Sequence, residues 1–236
     1  MLVAAAVCPC PPLLVPEVAA GAASELDGLR AACLDAVAVL AAARPDRLVV
    51  LGPAGLRGRG PHPQGATGSF RSLGVDLDVR LGQGDPAGEG ELPQSLAVAA
   101  WLLERTGWAA APVEGLGVGE ELEAERCLAA GRELAGGTER VAFLVMGDGS
   151  ACRTLKAPGY LDERAESFDA GAVRALGAAD TAALAALDAE LAYELKAAGR
   201  APWQVLAGAG EGAGLHGQLL YEGAPYGVGY YVAGWS

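Results

Sequence analysis

Short apolar stretches alternate along this chain with longer stretches in which apolar residues recur every three or four positions. The short stretches are typical of strands buried in a parallel sheet, and the longer ones predict amphipathic helices. The predicted strands are residues 2–7, 47–51 and 140–146. The predicted helices are residues 16–43 (beginning at Pro16 or Ser24), 93–106, 120–135, 169–176, 181–198 and 202–209.

Two further segments show the period of two that is typical of strands. Residues 75–81 alternate apolar and acidic positions, which predicts an edge strand, and residues 218–221 and 227–232 predict a closing hairpin. Because strands and helices alternate throughout, we expect a three-layer α/β sandwich with a mostly parallel or mixed central sheet flanked by helices. The chain has no internal repeat and no linker, so residues 1–236 form one predicted domain.

Composition narrows the range of partners. The chain has 236 residues, 52% of them hydrophobic, which suffices for one large core. Its net charge of −12, with no cluster of lysine or arginine, repels nucleic acid and anionic membranes, so we predict neither as a partner. The apolar start is too short to span a bilayer and lacks the basic residues of a signal peptide. Five cysteines at irregular spacing suit reduced thiols in the cytoplasm.

Three loops follow predicted strands, at residues 8–12, 52–55 and 147–154. The carboxyl ends of parallel strands share one edge of a sheet, so we expect these loops to converge on one site. A long segment rich in glycine and proline, residues 57–65, is predicted to be mobile or to act as a lid. It carries His62, one of only two histidines, which is by default a surface residue.

The third loop is the richest in reactive side chains. Asp148 can orient a group or accept a proton, and Ser150 and Cys152 are possible nucleophiles. Arg153 and Lys156 are suited to hold an anion. In the alternative interpretation, Asp148 and Ser150 only cap the next segment through local backbone hydrogen bonds.

The first loop holds Cys8 and Cys10 in a Cys-x-Cys pattern. This pair is a weak metal signal without a second pair or nearby histidines, and buried structural thiols are the alternative. Cys33 and Cys127 fall inside predicted helices, where we expect them to belong to the core.

In this order, the loops resemble those of the LigB-like superfamily of class III extradiol ring-cleavage dioxygenases and of its Memo-like relatives. Residues 9–17, Pro-Cys-Pro-Pro-Leu-Leu-Val-Pro-Glu, are similar to the Pro-His-Pro-Pro start of that family. Residues 48–54 are similar to its strand ending in Ser-Pro-His, and residues 147–151 to its Asp-x-Cys/Ser-His or Gly-x-Ser-His loop. Residues 198–202 are similar to a Cys-Gly-Arg-x-Pro stretch of the Memo-like branch. The resemblance covers nearly the whole chain.

The resemblance implies a metal centre whose ligands are missing here. In that family two histidines and a later carboxylate or cysteine hold a divalent metal, usually ferrous iron, and a third-loop histidine is the acid/base. The matching metal positions are Cys10, Ala54 and Ala198, and the acid/base position is Ala151. Alanine offers neither a lone pair nor a proton, and ring-cleaving iron requires two histidines and a carboxylate. We therefore predict no ferrous dioxygenase activity and no resident cofactor.

The leading functional prediction is a LigB-like domain that has lost its iron centre and serves in binding or regulation. It would take a small polar or aromatic ligand, a protein partner or a second copy of the chain. The residues expected to line the ligand site are Cys10, Ala54, Ala151, Arg153, Lys156 and Ala198, beside Asp148, Ser150 and Cys152 as possible catalytic groups.

Two alternatives remain open. One is a hydrolase or thiol enzyme in which Ser150 or Cys152 is the nucleophile. The other is a dioxygenase with a remodelled centre, where zinc or ferrous iron would need a rebuilt ligand set. The candidate ligands of that set are Cys10, His62, Asp148 and Cys152.

Overall fold

The computed structural model of the protein describes residues 1–87 and 90–236. The strands are β1 (Leu2–Cys8), β2 (Arg47–Pro53), β3 (Gly60–His62), β4 (Thr67–Ser69), β5 (Asp78–Arg80), β6 (Val113–Val118), β7 (Val141–Met146), β8 (Gly217–Gly223) and β9 (Tyr230–Trp235). The α-helices are α1 (Pro16–Ala19), α2 (Asp27–Ala42), α3 (Gln94–Thr106), α4 (Ala124–Leu134), α5 (Arg164–Ala178), α6 (Thr181–Ala185), α7 (Ala189–Glu194) and α8 (Arg200–Gly210). Short 3-10 segments are Pro12–Leu14, Ala20–Leu26, Leu56–Gly58 and Arg71–Leu73.

Seven strands form the central sheet in the order β3-β6-β2-β7-β1-β9-β8. The four inner strands β6, β2, β7 and β1 run parallel, and β3, β9 and β8 pair antiparallel at the two sides. Strands β4 and β5 form a separate two-stranded sheet. The central strand β7 is apolar and buried along its whole length, as expected of a strand covered on both faces.

Each face of the sheet packs against its own layer of helices. On β7, Leu144 and Met146 point to the core shared with α2 and α3, while Phe143 and Val145 point to the core shared with α5 and α8. This alternation is the period of two of a strand. The predicted three-layer α/β sandwich with a mixed central sheet is therefore confirmed.

The structure corrects some predicted boundaries. Instead of one helix, residues 181–198 form the two short helices α6 and α7. Asp188 interrupts the helix because its carboxylate accepts the backbone N–H groups of Glu190 and Leu191, which makes it the N-cap of α7. Only residues 78–80 of the predicted edge strand 75–81 are in a strand, and that strand belongs to the small sheet.

Residues 57–65 contribute a strand to the central sheet, so the prediction of a mobile segment or lid is wrong. After a 3-10 turn, β3 pairs antiparallel with β6. The sequence pattern did not predict strand β6. The glycines of β6 interrupt its apolar pattern, which is why the sequence did not predict this strand. They also allow the backbone before β3 to lie close against β6. A side chain at Gly117 would overlap the carbonyl oxygen of Gly58.

Both edge strands of the central sheet are irregular. At one side, β3 has only three residues and contains Pro61. At the other side, the pairing of β8 with β9 shifts register between Leu219 and Tyr221. Within the described ranges 1–87 and 90–236, no helix has the length and apolar character needed to cross a bilayer.

The close contact between α4 and α8 predicts that an added methyl group at this contact lowers stability. A Cβ at Gly131 would overlap the carbonyl oxygen of Val205 on α8. We expect Gly131→Ala to lower the free energy of unfolding in urea by about 3 kcal/mol, because the helices would have to separate. Gly171→Ala is the matched control, since a Cβ there meets nothing within 4 Å and should stabilise α5 by about 0.5–1 kcal/mol. Equal effects of the two substitutions would contradict this packing.

Candidate functional site

The loops after β1, β2 and β7 meet at one edge of the sheet. Cys8 pairs with Met146, and Leu51 pairs with Val145. Continuing these two registers past the strand ends places Cys10 and Ala54 on either side of Asp148. The backbone N–H of Cys10 donates to Oδ1 of Asp148 over 2.8 Å, which fixes the first loop to the third.

Asp148 is the acidic centre of this edge. Burial raises the pKa of its carboxyl group to about 7, and the hydrogen bond from Cys10 only partly opposes that rise. Cys10 is 6% exposed, and burial, followed by the charge of Asp148, raises the pKa of its thiol well above the usual value. Burial and Asp148 also raise the pKa of Tyr230, a buried residue of β9. Near neutral pH the edge therefore presents a neutral thiol, a neutral phenol and a carboxyl group in both protonation states.

Ser150 belongs to a different cluster, bound to α5 on the other face of the sheet. Its hydroxyl donates to Oδ2 of Asp169 over 2.6 Å, and its N–H donates to Oδ1 over 2.8 Å. Arg153 donates to the same Oδ2 over 3.2 Å. Asp169 is 1% exposed, so three donors satisfy a carboxylate that is buried almost completely.

This network gives a structural role to two residues of the predicted site. Ser150 is fully buried, and its hydroxyl is the donor to a carboxylate that Arg153 already holds. Arg153 also lies 3.7 Å from the exposed Glu166, so its one side-chain hydrogen bond goes to Asp169 and a second carboxylate lies near its guanidinium. The local capping alternative for Asp148 and Ser150 does not describe their bonds, which reach Cys10 and Asp169.

Sequence reasoning missed Asp169, although the sequence contains a signal for it. Asp169 lies on the buried stripe of α5 with Ala172, Val173 and Leu176. A carboxylate on the apolar face of a helix requires buried donors. The placement of Asp169 therefore implies polar partners inside the domain, which Ser150 and Arg153 provide.

Cys152 is also buried. Its thiol donates to the carbonyl oxygen of Leu195 over 3.5 Å. Burial raises the pKa of this thiol, which keeps it protonated and weakly nucleophilic. Lys156 is exposed on the loop that follows.

The two remaining alanine positions, Ala151 and Ala198, lie in segments that backbone hydrogen bonds join at the same edge of the sheet. The N–H of the buried Ala151 donates to the carbonyl oxygen of Leu195. Ala198 is half-buried and precedes Gly199, whose N–H donates to the carbonyl oxygen of Asp148 over 2.8 Å. Asp148 thus connects three segments through its side chain and its backbone.

His62 lies away from the other candidate metal ligands. It is in β3, four strands from β1 in the sheet order, which corresponds to roughly 19 Å at ~4.8 Å per strand. Its Nε2 lies 2.8 Å from the carbonyl oxygen of Gly58. Among residues 1–87 and 90–236, no three or more His, Cys, Asp or Glu side chains are grouped to hold a metal ion. The remodelled set of Cys10, His62, Asp148 and Cys152 is therefore not assembled.

A surface cavity of about 820 Å³ lies over the small sheet formed by β4 and β5. Arg71 and Arg80 line it together with Asp78 and Glu104. Arg71 is already paired with Asp78, and the backbone N–H of Arg80 donates to Glu104. This cavity includes none of the predicted site residues.

Comparison with known proteins supports the fold. No protein-family model matches the chain, and no curated protein matches it. Among solved structures, it is similar to the uncharacterized protein JW3007 from Escherichia coli K12. The two share 13% sequence identity with a TM-score of 0.53, over 99% of each chain. This likeness shows a shared fold alone.

The raised pKa of Asp148 predicts a pH dependence of stability. The folded protein retains this proton up to about pH 7, whereas the unfolded chain releases it near pH ~3.9. The free energy of unfolding should therefore fall as pH rises between these values, by at most about 1.4 kcal/mol per pH unit. We expect Asp148→Asn to lack this contribution and the exposed control Asp35→Asn to retain it. Urea unfolding at several pH values measures both, and identical pH profiles would contradict the assignment.

The buried network predicts a structural role for Ser150. Ser150→Ala removes a hydrogen bond to the buried carboxylate of Asp169 and should lower the free energy of unfolding by about 2 kcal/mol. Ser167→Ala is the control, because that hydroxyl is exposed and donates only to the carbonyl oxygen of Arg164. A serine-reactive fluorophosphonate probe should not label the native protein. Labelling at Ser150 would contradict the structural role.

Proposed function

We propose that the chain is a LigB-like domain that lacks the iron centre of that family and uses the same sheet edge for binding. The observation that carries the proposal is the hydrogen bond from Cys10 to Asp148 at the ends of the adjacent strands β1 and β7. Ala54 directly follows β2, the other neighbour of β7. Cys10 and Ala54 match two metal-ligand positions of the resemblance. The third metal position, Ala198, lies one residue before a direct backbone bond to Asp148.

The chemistry of these side chains argues against ring cleavage. Non-haem iron in oxygenases is held by two imidazoles and a carboxylate, with open positions for oxygen and substrate. Here Asp148 supplies a carboxyl group, but Ala54 and Ala198 have no donor atom. The thiol of Cys10 is held protonated by burial and by Asp148, which together raise its pKa. Binding without oxygen chemistry is the function that this set of residues supports best.

The groups that remain suit a small ligand with polar or aromatic character. Because the pKa of Asp148 is about 7, its carboxyl group can donate or accept a hydrogen bond at neutral pH. Tyr230 adds an aromatic ring beside it. Arg153 is hydrogen-bonded to the buried Asp169, whereas Lys156, the other cation among the predicted site residues, is exposed.

A hydrolase or thiol enzyme ranks below this proposal, because both candidate nucleophiles are buried. Ser150 donates to a carboxylate that is already paired with Arg153, and Cys152 donates to a backbone carbonyl oxygen. A protein partner or a second copy of the chain at the same edge is a variant of the binding proposal. We also propose a cytoplasmic location, which five free cysteines support.

The proposal predicts the response to ferrous iron. Under anaerobic conditions the wild-type protein should bind no stoichiometric Fe(II), and after admission of air it should consume no oxygen with catechol or protocatechuate. The double variant C10H/A54H places two imidazoles next to Asp148 and should bind Fe(II) at least tenfold more tightly than the wild type. The control A31H/A129H adds the same two imidazoles at exposed positions of α2 and α4, which lie in opposite helical layers.

Two outcomes would contradict different parts of the proposal. Stoichiometric Fe(II) with catechol-dependent oxygen uptake in the wild type would refute the loss of iron chemistry. If C10H/A54H binds Fe(II) no better than the wild type and no better than the control, the matched positions do not form the ancestral centre.

A further inference from the structure

Exposed apolar side chains are concentrated on one part of the surface. Within residues 1–87 and 90–236, eight large hydrophobic side chains are exposed, and four of them lie in the loop before α5 or in helix α7. These four are Leu155 (61% exposed), Tyr160 (63%), Leu161 (46%) and Tyr193 (71%). A concentrated group of this kind marks an interaction surface, whereas apolar residues exposed singly do not. We call residues 153–163 and 189–197 the α7 face.

The two segments of the α7 face pack against each other. A Cβ at Gly159 would lie 3.1 Å from Cδ of Lys196, in the turn after α7. Tyr160 directly follows this glycine, and the carbonyl oxygen of Tyr193 accepts the N–H of Lys196 over 3.1 Å. The two exposed tyrosines therefore flank one contact between the loop and the helix, which form one continuous surface.

The backbone of Tyr160 adopts a conformation that its side chain disfavours. Its φ is +64°, in the left-handed region, where a bulky residue is an outlier. Glycine would adopt this φ without steric cost, yet the chain presents an exposed aromatic ring there. A conformation of this kind at an exposed residue points to a function of the side chain rather than to a need of the fold.

Charge distinguishes the α7 face from the rest of the chain. The net charge of −12 makes copies of the protein repel one another. The α7 face, however, holds both lysines of the chain, Lys156 and Lys196, and with Arg153 they offset all but one of its four acidic side chains. A second copy can therefore approach this face with little repulsion. A strongly acidic or strongly basic partner would find no net charge to complement.

We propose that the α7 face is the interface of a homodimer. In an interface about a twofold axis the same patch meets itself, so the apolar side chains form its centre and each lysine can face an acidic side chain of the other copy. Tyrosine is enriched among the residues that carry most of the binding energy of interfaces, which assigns the main contribution to Tyr160 and Tyr193. The dimer goes beyond the proposed ligand binding and rests on neither Cys10 nor Asp148.

Sedimentation velocity of the full chain tests the dimer. Between about 1 and about 200 μM, a range that covers a dissociation constant of micromolar order, the monomer of 23.7 kDa should give way to a particle of twice that mass. Tyr160→Gly and Tyr193→Ser should each weaken association about 20-fold, because each substitution acts on both sides of the interface. The matched control Leu56→Ser removes a side chain that is 81% exposed outside the α7 face and should leave the dissociation constant unchanged.

A monomer at every concentration would overturn the proposal and leave a different partner as the occupant of the α7 face. An unchanged dimer in both tyrosine variants, or an equal loss in Leu56→Ser, would refute this interface. Circular dichroism checks folding, and Tyr160→Gly decides if Tyr193→Ser does not fold, because glycine fits the backbone at position 160. All of these variants retain Cys10 and Asp148, so the Fe(II) and catechol experiments are decided independently.

Discussion

The position of β7 between β1 and β2 is the constraint on which the rest of the structure depends. The three strands are parallel and hydrogen-bonded in register, so their carboxyl ends finish at one level. As a result, Asp148 lies between the loops that follow β1 and β2, which are distant from it in sequence. Because β7 is buried on both faces, it cannot shift by one residue without exchanging its two apolar faces. The geometry of the candidate site is therefore fixed by the core and not by the loops themselves.

The continuous apolar runs made the inner strands predictable, since β1, β2 and β7 bury both faces and need no alternation. The convergence of their loops followed from parallel pairing. Strand β6 escaped prediction because Gly115 and Gly117 replace apolar residues in it. A Cβ at Gly117 would overlap the carbonyl oxygen of Gly58, and a Cβ at Gly115 would crowd the side chains of Leu81 and Leu96, all of which are distant in sequence. A local pattern carries no information about such contacts.

The sequence predicted which loops carry the candidate site, but not that its side chains separate onto two faces of the sheet. Asp148, Ser150 and Cys152 are close in sequence, which favoured a common site. The structure separates Asp148 from Ser150, because the two side chains bond on opposite faces of the sheet. The side chain of Asp148 accepts a hydrogen bond from Cys10 on the face covered by α2. The hydroxyl of Ser150 donates to Asp169 of α5, which covers the other face. Deciding between the two faces requires the helix on each side to be known.

The irregular edges of the central sheet restrict how copies of this protein can associate. Pro61 removes a backbone donor from the short β3, and the register shift at Leu220 bends β8 away from a straight template. Both margins therefore interrupt the regular row of free amides and carbonyls that edge-to-edge growth into fibrils needs. Contacts between chains are then expected to use side chains on the helical layers or on the loops, where single substitutions can tune them.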